Sequence, residues 1–149
     1  MPVISCAAGA LSASNATRDG CLQRVRYTGA KVALPVEMHA VAGGLRLRFA
    51  EPLDKEVAQD PDSWSAEQWN YKYAADYGSK EYSVLHAGAE GHDLVEVKSA
   101  ALSDDGKSVA LEIPALRPVM QLRLRYSLRA ADGAPVKGEI DSTIHRLGK

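Results

Sequence analysis

Six of the nine aromatic residues in this 149-residue chain lie between positions 64 and 82: Trp64, Trp69, Tyr71, Tyr73, Tyr77 and Tyr82. Trp69, Tyr71 and Tyr73 are spaced by two, so on a strand they share one face. Exposed, three rings in a row form a stacking platform for a sugar or a partner loop. Turned inward, they are core. The chain has one Phe, so a core needs other large side chains, and this favours the inward alternative. Tyr77 and Tyr82 flank Gly78-Ser79, a turn pair, and are better placed for a surface contact. The histidines are His39, His86, His92 and His145. His86 and His92, with Asp93, fall in a stretch containing Gly88 and Gly91. Two His and one carboxylate make a metal-ligand set. Loop spacing fixes no geometry, however, as a helical pair would, so solvated loop side chains are the expectation. The candidate binding surface is therefore Trp69, Tyr71, Tyr73, Tyr77, Tyr82, His86 and His92. No residues are assigned as catalytic, metal or cofactor ligands.

Other constellations are weaker. Carboxylates pair at Asp60/Asp62 and Asp104/Asp105. Acid–base work by two carboxylates needs a cleft that shifts their pKa values, and both pairs fall in expected turns, where solvated Asp is ordinary. Glu51, Asp54, Glu56, Asp60 and Asp62 are oxygen donors suited to calcium, but in no EF-hand pattern. Ser99, Ser103 and Ser108 belong to strands or turns. A Ser-His-Asp triad is assembled in space, and nothing in the spacing points to one. The expectation is a protein that is not an enzyme. Arg24/Arg26, Arg46/Arg48 and Arg123/Arg125 each project from one strand face, and residues 51–67 are acidic. That separation suits domain docking or, more plainly, solubility and edge protection. A net charge of −1 removes the global electrostatic case for nucleic acid.

The elements that must position these residues are strands. Hydrophobic residues make up 46% and charged residues 25%, the balance of a folded globular domain. No apolar run approaches the length of a membrane span. From Val36 onward apolar residues recur with period two. Val36, Met38 and Ala40 alternate with Glu37, His39 and Val41. Leu45, Leu47 and Phe49 alternate with Arg46 and Arg48. Val109, Leu111 and Ile113 form a third set, and Leu122, Leu124, Tyr126 and Leu128 a fourth. Val136, Ile140 and Ile144 keep one phase. This pattern gives a sheet one apolar and one wet face. Gly43-Gly44, Asp105-Gly106 and Asp132-Gly133 supply hairpin turns. Asp105-Gly106 would separate a strand over 95–102 from one over 108–113. Pro114 and Pro118 bracket a loop. The best helical candidate is one turn around 54–59. Seven or eight strands in an all-β, Ig-like (fibronectin III-like) antiparallel β-sandwich follow over residues 31–147, with a closed barrel second.

Residues 1–30 read as a loosely ordered N-terminal segment. Residues 1–20 lack the basic start and apolar run of a secretory signal. The Asn15-Ala16-Thr17 triplet is incidental. Cys6 and Cys21 form no CxxC or CxxCH, which excludes a cysteine zinc site and covalent haem within the chain, and they are expected to be unpaired thiols.

Leu45-Arg46-Leu47-Arg48-Phe49, Glu51-Pro52-Leu53-Asp54 and Asp60-Pro61-Asp62-Ser63-Trp64 resemble the opening of bacterial Ig-like domains. Residues 101–111 resemble their central hairpin. A narrower resemblance lies in Thr17-Arg18-Asp19-Gly20-Cys21-Leu22-Gln23-Arg24-Val25-Arg26-Tyr27-Thr28-Gly29. This is similar to the closing strand of the β-propeller in large secreted bacterial proteins related to pyrroloquinoline-quinone-dependent, sorbosone-type dehydrogenases. The Trp69-Asn70-Tyr71-Lys72-Tyr73 block, Tyr77-Gly78-Ser79, Arg117-Pro118-Val119-Met120-Gln121 and Thr143-Ile144-His145 look like the Ig-like region that follows it. Such proteins often carry a cytochrome c domain. The propeller body and haem motif have no counterpart here, so the family's dehydrogenase chemistry does not carry over. The resemblance implies a non-catalytic accessory module that packs against a propeller oxidoreductase or its cytochrome domain. It implies a periplasmic or secreted location if the chain is exported as those proteins are. The alternative is a stand-alone carbohydrate-binding module that holds polysaccharide on the surface aromatics.

Overall fold

The computed structural model describes residues 26, 28, 29, 31–72 and 78–148. Tyr73, Tyr77, Cys6, Cys21 and most of the propeller-like strand over 17–29 lie outside the described residues. The chain divides into two units, Met1–Ala30 and Lys31–Lys149. The second carries the elements described below.

Nine strands run in chain order: β1 Pro35–Val41, β2 Gly44–Phe49, β3 Trp64–Tyr71, β4 Glu81–Tyr82, β5 Asp93–Val95, β6 Ser99–Leu102, β7 Ser108–Glu112, β8 Val119–Arg129 and β9 Pro135–Ile144. Among the described residues one short α-helix, α1 Lys55–Gln59, and a 3-10 turn, Pro61–Ser63, lie between β2 and β3. The strands form two antiparallel sheets, β1-β2-β7-β6 and β4-β3-β8-β9, and β5 also pairs with β3. The first order is that of the ABED sheet of an immunoglobulin constant-type sandwich, and β3-β8-β9 is that of its CFG sheet. β4 and β5 are additions along the outer edge of β3.

Local chemistry explains these elements. Leu45, Leu47 and Phe49 of β2 and Val109 and Leu111 of β7 are buried against Trp64, Ala66, Leu122, Leu124 and Leu128 from the other sheet. Phe49, Trp64 and Tyr126 meet at the centre, with Phe49 edge-on to Tyr126 at a centroid distance of 5.8 Å. The expected helical turn is α1, started by Asp54, whose carboxylate accepts from the Val57 amide at 3.1 Å. Its buried Ala58 lends a carbonyl to the Trp64 indole N–H at 3.1 Å. Gly43, Gly106 and Gly133 turn the expected hairpins with positive φ.

Three expectations need correction. Among the described residues there are nine strands rather than seven or eight, because two edge strands, β4 and β5, are too short to show alternation. The single strand over 95–102 is two: β5 joins one sheet and β6 the other, with residues 96–98 crossing between them. Val36 does not share the inward phase of Met38 and Ala40. The pairing of β1 with β2 is irregular between Pro35 and Glu37, and Val36 is exposed. Among the described residues, no helix is long and apolar enough to cross a membrane.

Candidate functional site

The outer face of the five-stranded sheet concentrates the polar chemistry. On β3, Trp64, Ala66 and Gln68 point into the sandwich, so Ser65, Glu67, Trp69 and Tyr71 point out. Trp69 is only 5% exposed, yet it belongs to no part of the inter-sheet core. It is covered from outside. The His92 imidazole stacks on its ring, with centroids 3.8 Å apart and planes 8° from parallel. The Arg123 guanidinium lies 5.4 Å from the Trp69 ring centroid, a cation–π approach.

His92 is held through both nitrogens. Nδ1 lies 3.0 Å from Glu67 Oε2, and Nε2 lies 2.6 Å from Glu81 Oε2. Two carboxylates can both accept only if the ring is the doubly protonated imidazolium. Burial of the ring disfavours that charge, but the hydrogen bonds to Glu67 and Glu81, with their negative charges, outweigh it, and the pKa lies above the ordinary 6.5. An imidazolium donating from both nitrogens has no lone pair for a metal or for proton abstraction. The arrangement is an electrostatic clasp.

Glu67 links this clasp to a ladder of charges. Its other oxygen lies 2.9 Å from Arg125, and its side chain is 12% exposed. Arg125 also donates to Glu139 at 2.7 Å, and Arg123 grips Asp141 with two bonds at 2.8 and 3.1 Å. The Asp141 carboxyl is held below its ordinary value chiefly by the Arg123 hydrogen bond. Register places Leu94 of β5 beside Glu67 on this face, and Leu94 is 77% exposed.

The 81–91 hairpin that carries Glu81 is tied by the bonds Ser83 N–H to Ala89 O and Gly91 N–H to Glu81 O. Asp93 anchors its return. The Asp93 carboxylate is nearly buried and accepts from the Ser83 hydroxyl and the Val84 and Leu85 amides at 2.5–2.9 Å. Burial alone would raise its pKa. The three donors reverse that, and the net direction is down.

The candidate residues thus separate. Trp69, Tyr71 and His92 share the outer face. Trp69 is buried there beneath His92 rather than in the core, and Tyr71 is exposed. Tyr82 pairs with Asn70 and so lies on the opposite face of the sheet from Tyr71, which pairs with Glu81. His86 is exposed in the hairpin, where its amide donates to Ser83 Oγ at 2.7 Å, and its ring does not join His92. Asp93 is engaged by the hairpin, so the His86, His92 and Asp93 set does not converge. Asp54 and Asp60 of the acidic stretch cap local amides. Among the described residues no cluster of three His, Cys, Asp or Glu is placed to hold a metal ion.

Beside this face, Asn70, Tyr71, Met120, Thr143 and His145 line a shallow depression of about 500 Å³. Here β8 bulges. The Met120 amide donates to Asn70 Oδ1 at 2.9 Å and its carbonyl accepts from Thr143 at 2.8 Å. The side chains of the Trp-Asn-Tyr block and of the Thr-Ile-His ending thus meet at one irregularity of the sheet.

Sequence reasoning did not pair Glu67, Glu81, Glu139 and Asp141 with their cations. Half of that set was within reach. Counting outward from the Asp132-Gly133 turn places Arg125 opposite Glu139 and Arg123 opposite Asp141. Nothing local points to the His92–Glu67–Glu81 contact, which joins β3, β4 and the residue before β5. No family model, curated protein or solved structure matches the chain.

Proposed function

We propose that this chain is a non-catalytic interaction module, and that its docking surface is the outer face of β3, β8 and β9 with the adjoining β4–β5 hairpin. The observation that carries this is the placement of Trp69. A sandwich of this size gains most from a tryptophan in its core. Here one of two tryptophans is instead ordered on the outside, beneath His92 and beside fixed Arg and Glu side chains and the protruding Leu94. Alternating fixed charges set orientation and on-rate in protein association, and an apolar anchor supplies affinity. The partner suggested by the sequence resemblance is a propeller-type oxidoreductase or its cytochrome domain.

The test is titration calorimetry of the full chain against such a purified propeller protein from the same cells. Binding that weakens with salt, and again in Leu94→Asp and Arg125→Glu, supports the docking role. Binding untouched by both substitutions moves the surface elsewhere, and no binding removes the partner.

A second function has one favourable observation. The depression beside exposed Tyr71 combines an aromatic ring with amide, hydroxyl and imidazole groups from Asn70, Thr143 and His145, the kinds of group that hold sugars. Retardation of the chain in polysaccharide gels, abolished by Tyr71→Ala, would favour carbohydrate binding. Tyr82→Ala should have no effect on it, since Tyr82 lies on the other face.

A further inference from the structure

We propose that His92 is a proton-operated clasp: as an imidazolium it locks the 81–93 hairpin over Trp69, and loss of its proton releases the hairpin and uncovers the indole.

The geometry makes both nitrogens essential. Nδ1 reaches Glu67 on β3 and Nε2 reaches Glu81 on β4, so the ring ties both strands to the end of the hairpin. Remove one proton and one nitrogen presents a lone pair to a carboxylate at 3.0 or 2.6 Å. That contact is repulsive, and the ring must move off the carboxylate it faces. The bonds that oppose the motion lie along β4 and at the base of the hairpin. β4 is held to β3 through two residue pairs, Asn70 with Tyr82 and Tyr71 with Glu81, and by the Lys72 amide donating to the Lys80 carbonyl at 3.4 Å. Asp93, at the start of β5, ties Ser83, Val84 and Leu85 to the base, so the motion is that of β4 and the His92 ring against β3.

The charges facing His92 come from every neighbouring element. β3 contributes Glu67, β4 contributes Glu81, and Arg123 of β8 approaches the same indole. Arg125 shares Glu67, and both arginines are themselves engaged by Glu139 and Asp141 of β9. On the hairpin, Lys80 pairs with Glu90 at 2.6 Å and is turned to that partner. The direct contacts of His92 are thus two anions, with the arginines neutralised at one remove.

The sign follows. His92 binds its proton more tightly folded than unfolded, so its stabilisation of the hairpin is complete below 6.5 and is lost as pH rises through the higher folded value. Above that, Trp69 becomes a stacking surface flanked by Arg123. Acid conditions cover it, and pH above the raised folded value presents it.

The test is an NMR titration of the full chain from about pH 5 to about pH 9, following the imidazole nitrogens of His92 and both indole N–H signals. It needs no partner, so its failure and the failure of the docking role are distinguishable. The expected result is a His92 midpoint above 6.5, with the Trp69 indole and the Glu81, Tyr82 and Gly91 amides moving at the same midpoint. The Trp64 indole, bonded to the Ala58 carbonyl in the core, should stay still. Glu81→Gln should bring the midpoint down, and His92→Gln should abolish the pH dependence of the Trp69 signal. A His92 midpoint at or below 6.5 would overturn the clasp, as would a Trp69 signal indifferent to it. A Trp64 signal moving in step would also overturn it, because the event would then be global.

Discussion

Replacing Gln68 by leucine tests the packing that supports the outer face. Gln68 sits on the inward side of β3 and is fully buried. Its Nε2 donates to the Ala115 carbonyl at 3.0 Å and its Oε1 accepts from the Arg117 amide at 3.3 Å. One side chain therefore satisfies two backbone groups of the loop between β7 and β8 and fixes where β8 begins. Leucine fills nearly the same space and makes neither bond. Each orphaned group costs about 1–3 kcal/mol when buried. Both loop groups are partly accessible, so the lower half of that range applies, roughly 2–4 kcal/mol for the pair. The leucine's better burial returns about 1 kcal/mol. The net loss is therefore about 1–3 kcal/mol, and with a slope of about 1–3 kcal/mol per molar urea the unfolding midpoint should fall by roughly 1 M. Gln68→Glu should be worse, because it removes the donor to Ala115 and buries a charge facing a carbonyl oxygen. Urea unfolding followed by circular dichroism reads both. A Gln68→Leu midpoint at or above wild type would refute the reasoning, as would a Gln68→Glu variant no less stable than the leucine variant.

The remaining predictions concern the glycines and the acid limb. A Cβ at Gly138 would overlap the Tyr126 hydroxyl and come within 2.7 Å of its Cζ, so Gly138→Ala should lower the melting temperature, and adding Tyr126→Phe should recover part of the loss. At Gly44 a Cβ would overlap the Leu111 carbonyl oxygen, whereas at Gly43 it meets open space and only a φ of 80° resists it. Gly44→Ala should therefore cost more than the roughly 1 kcal/mol expected of Gly43→Ala, and equal melting temperatures would contradict this. The Asp93 carboxyl is held below its ordinary 3.8, so its contribution is present above that pH and is lost as pH falls through the lower folded value. Asp93→Asn should remove this acid limb and speed proteolysis within residues 81–93, and limited digestion above and progressively below pH 3.8 would measure it.

Much of the fold is legible in the sequence because strands and hairpins are local. Leu45, Leu47 and Phe49 alternate with Arg46 and Arg48, and Leu122 to Leu128 with Arg123 and Arg125, and a chain that alternates with period two can bury only one side of a sheet. Asp105-Gly106 and Asp132-Gly133 then set which residues face one another across each hairpin. The Arg123–Asp141 and Arg125–Glu139 pairs follow from the second of these turns. Asp54 as the cap of α1 is legible in the same way.

What tertiary structure decided is which face is which, and what lies on it. The alternation of β3 groups Trp69 with Tyr71 and opposes both to Trp64, but alternation alone does not name the inner set. With one Phe in the chain, the need for other large core residues favours Trp69 as core. It is instead Trp64 that meets Phe49 and Tyr126 across the sandwich, because the second sheet packs against that side. Likewise residues 95–102 carry one strand's worth of pattern, yet Val95 and Ser99 belong to different sheets. A backbone that leaves one sheet for the other keeps its local propensities, so the crossing leaves no mark in the residue types. The His92 site is the extreme case. Glu67, Glu81 and His92 come from β3, β4 and the end of a hairpin, and each alone reads as a solvated side chain. Only the closure of that hairpin onto the sheet brings two carboxylates to one imidazole and lays the ring on Trp69, since charge pairing of this kind depends on distances in space rather than along the chain.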